Sequence, residues 1–77
     1  MQKQYTGYYR QIGAKIKYYR ERKGISQLKL AELAGISRTH MSNLEAPHMD
    51  KAVSLETLMN IADVLEVPLR DFFDFEQ

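Results

Sequence analysis

The chain has 77 residues, of which 44% are hydrophobic and 27% charged, and it contains no cysteine. A chain of this length forms at most one domain, which buries roughly 60% of the surface that the unfolded chain exposes. The absence of cysteine excludes a disulfide framework and a Cys-ligated zinc site. No apolar run reaches the ~18 residues of a membrane span, and no secretion signal is evident. We therefore expect a single cytoplasmic domain, residues 1–77, with no membrane contact.

The formal net charge of +1 conceals an uneven distribution of charge. Residues 1–29 contain eight basic residues and one acidic residue, a net charge of +7. Residues 30–77 contain three basic and nine acidic residues, a net charge of −6. A basic end attracts a polyanion such as nucleic acid and an acidic end is repelled by it, although ordinary solvated faces give the same pattern.

Two helices are predicted in the basic half of the chain. Apolar residues at helical spacing predict a first helix from about Tyr8 to Lys23, preceded by an N-terminal arm of residues 1–7. Ser26 is positioned to cap a second helix, and Gly35 supplies the left-handed conformation that ends it. The apolar residues that support these two helices are Ile12, Ile16, Tyr19, Leu30, Ala31, Leu33 and Ala34.

Three shorter helices follow in the acidic half. Ser37 is positioned to cap a third helix that runs to about Glu45, and Ser54 to cap a fourth. Pro68 suits the first turn of a short fifth helix. The apolar residues of the last two helices are Leu55, Leu58, Ile61, Ala62, Leu65, Leu69, Phe72 and Phe73. No alternating strand pattern occurs, so the sequence predicts an all-α bundle of five short helices.

The third predicted helix has two opposed faces. At about 100° per residue, Met41 and Leu44 lie on one side and face the core. The opposite side carries polar residues whose only charge is one arginine: Arg38, Thr39, Ser42 and Asn43. Side chains of these types hydrogen-bond base edges and phosphates in the major groove of DNA. This face is therefore a candidate site for DNA binding.

Two segments, IGAKIKYYRERKGISQLKLAELAGISRTHMSNLE and SLETLMNIADVLEVPLRDFF, resemble the Cro/repressor-like helix-turn-helix proteins of the XRE type in spacing and residue type. The resemblance extends from Ile12 to Phe73. It implies a lambda-repressor-like DNA-binding domain in which the second and third helices form the helix-turn-helix. It also implies a regulator of transcription, usually homodimeric, that binds paired half-sites in double-stranded DNA. We expect a repressor that occupies promoter DNA, and contact with polymerase is the alternative that the sequence leaves open. No set of catalytic residues can be assembled from the sequence, so no enzymatic activity is expected.

The resemblance also suggests individual roles. It implies that Arg20 and Glu45 form a structural ion pair. Base reading is expected from the polar face of the third helix, namely Arg38, Thr39, Ser42 and Asn43. Phosphate binding is expected from Gln27 and Ser37, and the further candidates are Lys29, His40 and Lys51. A solvated side chain explains Lys29 equally well, and His40 is expected to flank either the core or a phosphate.

The loop of residues 46–53 departs from the family pattern. It is about two residues longer than usual and lacks the typical glycine and basic cluster, so only His48 and Lys51 remain there as phosphate ligands. The phenylalanine-rich C-terminus is denser in aromatic residues than so small a domain can bury, which predicts a dimer interface at Leu69 and Phe75.

Other functions have weaker support in the sequence. The two histidines, His40 and His48, lack the spacing of a metal site, and neither a cofactor nor a small-molecule effector is indicated. A protein-interaction or antitoxin-type module with the same fold and weak DNA binding is the alternative hypothesis. The acid-free face of the third helix favours DNA binding, whereas an apolar or acidic face would favour the alternative.

Overall fold

A computed structural model describes residues 5–47 and 52–75 of the protein. Within these residues it contains four α-helices and one 3-10 helix: α1 (Thr6–Lys23), α2 (Gln27–Ala34), α3 (Arg38–Glu45), α4 (Leu55–Leu65) and the 3-10 helix Leu69–Phe73. The all-α class and the order of the five helical elements are confirmed. None of the helices in this described part is long and apolar enough to cross a membrane.

Serine caps and glycine turns set most of the helix boundaries where the sequence predicts them. The hydroxyl oxygens of Ser26, Ser37 and Ser54 each accept a hydrogen bond from a backbone N–H three residues later, at 3.0 to 3.1 Å. Gly24 and Gly35, both at φ 78°, end α1 and α2. These caps satisfy backbone groups that a helix end otherwise leaves without partners.

The first helix begins earlier than the sequence indicates. Thr6 and Gly7, predicted to lie in an N-terminal arm, belong to α1, and residues 1–4 of that arm lie outside the described residues. No side chain caps this helix end. Instead, the Tyr8 ring packs against Phe75, with ring centroids 4.8 Å apart. Tertiary packing thus extends the helix where local sequence signals are weak.

The fifth helix is of the 3-10 type and not an α-helix. The N–H of Asp71 donates to the carbonyl oxygen of Pro68, three residues earlier, at 3.0 Å. A segment of five residues is short enough for this tighter geometry. Its fourth residue, Phe72, is fully buried, packs against the Tyr19 ring in an edge-to-face arrangement and completes the core.

All five elements contribute to one hydrophobic core. The buried residues reproduce the apolar stripes of the sequence: Ile12, Ile16, Leu30, Ala31, Ala34, Met41, Leu44, Leu58, Ile61, Ala62, Leu65 and Phe72. Leu33 and Leu55, although apolar and helical, are 53% and 57% exposed. The core therefore packs against the inner faces of α2 and α3 and leaves the outer face of α3 in solvent.

At Gly13, α1 lies close to the backbone at the end of α3. A Cβ atom at this position would overlap the Leu44 carbonyl oxygen and lie 3.2 Å from the Leu44 carbonyl carbon. Gly13 is buried within α1, a position where glycine is otherwise unfavourable. The absence of a side chain thus allows the backbones of α1 and α3 to touch.

The C-terminal end of α4 is tied to α1 at the surface. Glu66 ends α4 in the left-handed conformation, with φ 60°, and its carboxylate accepts a hydrogen bond from Lys23 Nζ at 2.8 Å. This hydrogen bond and the charge of Lys23 lower the pKa of Glu66. Because both groups are exposed, the contribution of the pair to stability is small.

Candidate nucleic-acid interface

A three-residue turn joins α2 to α3 and fixes the angle between them. Gly35 ends α2, the N–H of Ile36 returns to the Ala31 carbonyl oxygen at 3.0 Å, and Ser37 caps α3. Ala31 is only 1% exposed, and a side chain this small allows α3 to pack closely. Met41, fully buried, lies on the inner face of α3. This packing turns the polar face of α3 outwards.

That polar face forms a continuous surface. Four side chains line a shallow depression of about 240 Å³: Arg38, Thr39, Ser42 and Asn43. Arg38, Thr39 and Ser42 are exposed and Asn43 is half-buried. The structure therefore brings together all four residues for which the sequence suggests base reading, and no acidic side chain lines this depression.

The N-terminal ends of α2 and α3 carry further polar groups. Ser37 Oγ accepts from the His40 N–H, and Ser26 Oγ accepts from the Lys29 N–H, both at 3.0 Å. The side chains of Lys29 and His40 are exposed. Since each serine hydroxyl acts here as acceptor, the Ser37 hydroxyl hydrogen can still be donated to a phosphate oxygen. Helix N-termini also favour anions through their dipole.

Gln27, at the start of α2, makes a contact that the sequence does not predict. Its side-chain nitrogen donates to Glu45 Oε1 at 3.0 Å, and the side chain is half-buried. An amide nitrogen carries two hydrogens, so one remains for another acceptor. Glu45 thereby fixes the orientation of the Gln27 amide at the end of the helix.

Arg20 and Glu45 form the ion pair that the family resemblance implies. Arg20 Nε donates to Glu45 Oε2 at 2.7 Å and Nη2 donates to Oε1 at 2.9 Å, while Nη1 donates to the Ile25 carbonyl oxygen at 2.8 Å. The residues are only 9% and 6% exposed. Hydrogen bonding to Glu45 raises the pKa of Arg20 above its ordinary value. The pair joins α1, the α1–α2 turn and the end of α3.

The remaining predicted site residues lie elsewhere. Lys51, like His48, falls outside the described residues. Leu69 and Phe75, predicted to form a dimer interface, are half-buried. Phe75 packs between Tyr8 and Phe73, with ring centroids 4.8 and 6.2 Å away. The exposed rings of Tyr8 and Phe73 extend an apolar surface around it.

The sequence patterns considered above did not identify two features of the site. A glycine between Ile12 and Ile16, within the apolar stripe of the first helix, indicates a close contact with another helix. Gly13 is this glycine, and it lies against the end of α3. Arg10 and Lys17 lie seven residues apart on α1 and share a depression with Glu45. The spacing of these two basic residues was the available signal, but it does not show which side of α1 they occupy relative to α3.

Comparison with known proteins agrees with this geometry. A sequence model of the helix-turn-helix family matches residues 16–72. The HTH-type transcriptional regulator SinR of Bacillus subtilis is 35% identical over 63 residues, which make up 82% of this chain and 56% of SinR. The chain thus spans little more than half the length of that relative.

Solved structures of similar proteins have the same fold. The restriction-modification controller protein C.AhdI from Aeromonas hydrophila superposes with a TM-score of 0.76 at 29% identity, covering 84% of this chain and 96% of that protein. The biofilm regulator SinR in complex with DNA superposes with a TM-score of 0.75 at 35% identity, covering 82% of this chain and 98% of that one. The family consists of transcriptional regulators and not of enzymes. From the sequence match and the shared fold, the chain belongs to the XRE-type helix-turn-helix family.

Proposed function

We propose that the protein is a sequence-specific regulator of transcription that binds double-stranded DNA through α3 and acts as a repressor by occupying promoter DNA. The observation that carries this proposal is the depression formed by the four polar side chains of α3, which lacks an acidic residue. The similarity to SinR, a regulator solved in complex with DNA, supports it. Because its partner is genomic DNA, we place its action in the cytoplasm.

Each side chain of this surface suits a particular base edge in the major groove. The Arg38 guanidinium can donate two hydrogen bonds to O6 and N7 of guanine. The Asn43 amide can pair with N6 and N7 of adenine, and the Thr39 methyl group can contact the methyl group of thymine. Ser42 lies between them and supplies a hydroxyl that serves as donor or acceptor. Recognition by several neighbouring residues allows α3 to distinguish sequences.

Replacing Arg38 with alanine is expected to relax base preference at one position of each half-site. The loss of one bidentate contact costs about 1 to 3 kcal/mol. Selection of binding sites from a random DNA library, with wild type and Arg38→Ala in parallel, measures the effect. Arg70→Ala removes the same exposed charge from the 3-10 helix and serves as the control. An unchanged selected motif for Arg38→Ala would refute base reading by this residue.

The phosphate contacts are proposed to lie at the N-terminal ends of α2 and α3. Gln27 offers its remaining N–H, Ser37 its hydroxyl hydrogen, and Lys29 and His40 their exposed side chains. Contacts with phosphate position a protein on DNA without reading its sequence. Lys51 is proposed as a further phosphate ligand from its place in the sequence alone.

Gln27→Ala is expected to weaken binding to all DNA sequences alike. A hydrogen bond to a charged group contributes about 1.5 to 3 kcal/mol, so the dissociation constant should rise about tenfold or more. Affinities for a selected duplex and for a scrambled duplex measure the change, and Asn60→Ala, an exposed amide on α4, is the control. If Gln27→Ala alters base preference more than overall affinity, the positioning role is wrong.

The regulator is further proposed to act as a symmetric dimer through Leu69 and Phe75. One recognition helix covers few base pairs, and a two-fold axis places two of them about 34 Å apart on one side of DNA. The exposed rings beside Phe75, those of Tyr8 and Phe73, add apolar area to the proposed interface. The acidic side chains of this segment, Asp71 and Asp74, suit a surface that points away from phosphate.

Phe75→Ser and Leu69→Ser are therefore expected to shift the protein towards monomer. Each substitution removes about 1.5 to 3 kcal/mol of apolar burial, which weakens association at least tenfold. Analytical ultracentrifugation at micromolar concentration measures association, and Leu33→Ser, an exposed apolar site on α2, is the control. A wild-type protein that is strictly monomeric and protects a single asymmetric half-site would exclude this arrangement.

A further inference from the structure

An apolar depression of about 210 Å³ lies between the start of α1 and the end of the 3-10 helix. We call it the aromatic pocket. Six residues line it, five of them aromatic: Tyr5, Tyr8, Tyr9, Ile12, Phe73 and Phe75. None of these residues is acidic or basic, and none belongs to the DNA-binding surface proposed above. The lining therefore favours an apolar occupant.

The rings that form the pocket pack against one another. The Phe75 ring lies between those of Tyr8 and Phe73, with ring centroids 4.8 and 6.2 Å away. The aliphatic lining residue, Ile12, is part of the hydrophobic core. The pocket is thus built by the fold and joins both ends of the described chain. A cavity of about 150 Å³ holds a benzene molecule, so the pocket has room for one phenyl ring.

The walls of the pocket remain largely in water. Tyr5 and Tyr8 are each 45% exposed, and Phe73 is 42% exposed. Aromatic side chains present about 150 to 250 Å² each, so these three rings and the half-buried Tyr9 and Phe75 offer roughly 350 Å² to a partner. A standard interface buries about 800 Å² per partner, of which about 60% is apolar, so the patch supplies about three quarters of that apolar area.

A second copy of the chain suits this surface because the pocket and an exposed ring lie side by side. In a symmetric dimer the same patch meets itself, so a ring on the wall of one pocket can enter the pocket of the partner, and the reverse. Phe73 is the suitable ring, because it has no polar atom to desolvate. The hydroxyl groups of Tyr5 and Tyr8 can instead bond water at the rim.

We infer that the aromatic pocket receives Phe73 of a second copy, so that each ring packs into the pocket of the other copy next to the two-fold axis. This inference rests on the dimer of the proposed function and extends it from Leu69 and Phe75 to the start of α1. Because α1 lies against the end of α3 at Gly13, docking at α1 fixes the separation of the two α3 helices. The spacing between half-sites is therefore set through α1.

Charged substitutions at Phe73 test this inference. Phe73→Lys and Phe73→Glu should each raise the dissociation constant of the dimer about tenfold or more, because each places two like charges side by side in apolar surroundings. Mixed in equal amounts, the two variants should form a heterodimer, since a lysine then faces a glutamate. Leu33→Lys and Leu33→Glu, at a 53% exposed site on α2, are the matched controls. Analytical ultracentrifugation measures association, and circular dichroism measures folding.

Mixing separates a lost contact from a lost fold, because two misfolded variants do not restore each other. If the Phe73 variants associate like the Leu33 variants while Phe75→Ser is monomeric, the dimer forms without the pocket and the inference is wrong. Monomeric Phe73 variants that stay monomeric after mixing would exclude reciprocal insertion. A monomeric wild type would overturn the proposed dimer itself, whereas base reading by α3 is tested separately with Arg38→Ala.

Discussion

Gly13→Ala is expected to destabilise the domain by about 3 kcal/mol, at the upper end of the range for overpacked sites. The added Cβ would overlap the carbonyl oxygen of Leu44, and a backbone atom cannot rotate away as a side chain can. The two helices must separate, which loosens the core around Ile12 and Ile16 and displaces the end of α3. Alanine is ordinarily the better helix former by about 1 kcal/mol, so the packing cost must exceed this gain for the substitution to lower the free energy of unfolding.

Gly7→Ala provides the matched control for this prediction. Gly7 lies in the same helix, but no heavy atom lies within 4 Å of a Cβ built there. This substitution should therefore stabilise the domain by about 0.5 to 1 kcal/mol through helix propensity alone. Urea and thermal denaturation followed by circular dichroism measure both variants. A Gly13→Ala protein as stable as wild type would show that α1 and α3 do not touch at this crossing.

Local chemistry explains how much of the fold the sequence predicts. Ser26, Ser37 and Ser54 each bond a backbone N–H only three residues away, and the turns at Gly24 and Gly35 depend on the glycine itself. Such signals lie within a few residues of the boundary that they set, so they can be read without a structure. The same holds for the polar face of α3, since helical spacing alone separates it from Met41 and Leu44.

Features that depend on distant segments were not predictable in this way. The contact of Gln27 with Glu45 joins residues 18 positions apart, and Gly13 meets the end of a helix more than thirty residues later. Helical periodicity shows which residues share a face but not which face meets which neighbour. The early start of α1 has the same origin, because Tyr8 is held by Phe75 from the other end of the chain. The Arg20–Glu45 pair was suggested by family resemblance and not by spacing.

Breaking the Arg20–Glu45 ion pair is expected to lower stability more than any other substitution proposed for this protein. Arg20→Met should cost about 3 to 5 kcal/mol, because the Glu45 carboxylate stays buried after losing two of its hydrogen bonds. The Ile25 carbonyl oxygen also loses its Arg20 donor. A domain of 77 residues has a total stability on the order of 4 to 12 kcal/mol, so the free energy of unfolding that remains after this loss is small.

The pH dependence follows from the direction of the Arg20 shift. Hydrogen bonding to Glu45 raises the pKa of Arg20 above its ordinary value, so the stabilising contribution of Arg20 is fully present below that ordinary pKa and is lost only as pH rises through the folded-state pKa. Arg20 therefore remains charged throughout the neutral range. Denaturation of the wild type near neutral pH should show no loss of stability from deprotonation of this group.

The double variant Arg20→Met/Glu45→Met separates the energy of the pair from the cost of an unpaired charge. Replacing a buried ion pair with apolar residues of similar volume is often neutral or stabilising by about 1 to 4 kcal/mol, so the double variant should be more stable than either single variant. It removes the Glu45 acceptor of Gln27, however, and DNA binding should weaken even where the fold recovers. Urea denaturation and DNA affinity of the four proteins form the test. Equal stability of Arg20→Met and wild type would show that the pair is not buried in solution, and full DNA affinity in the double variant would show that Glu45 does not orient Gln27.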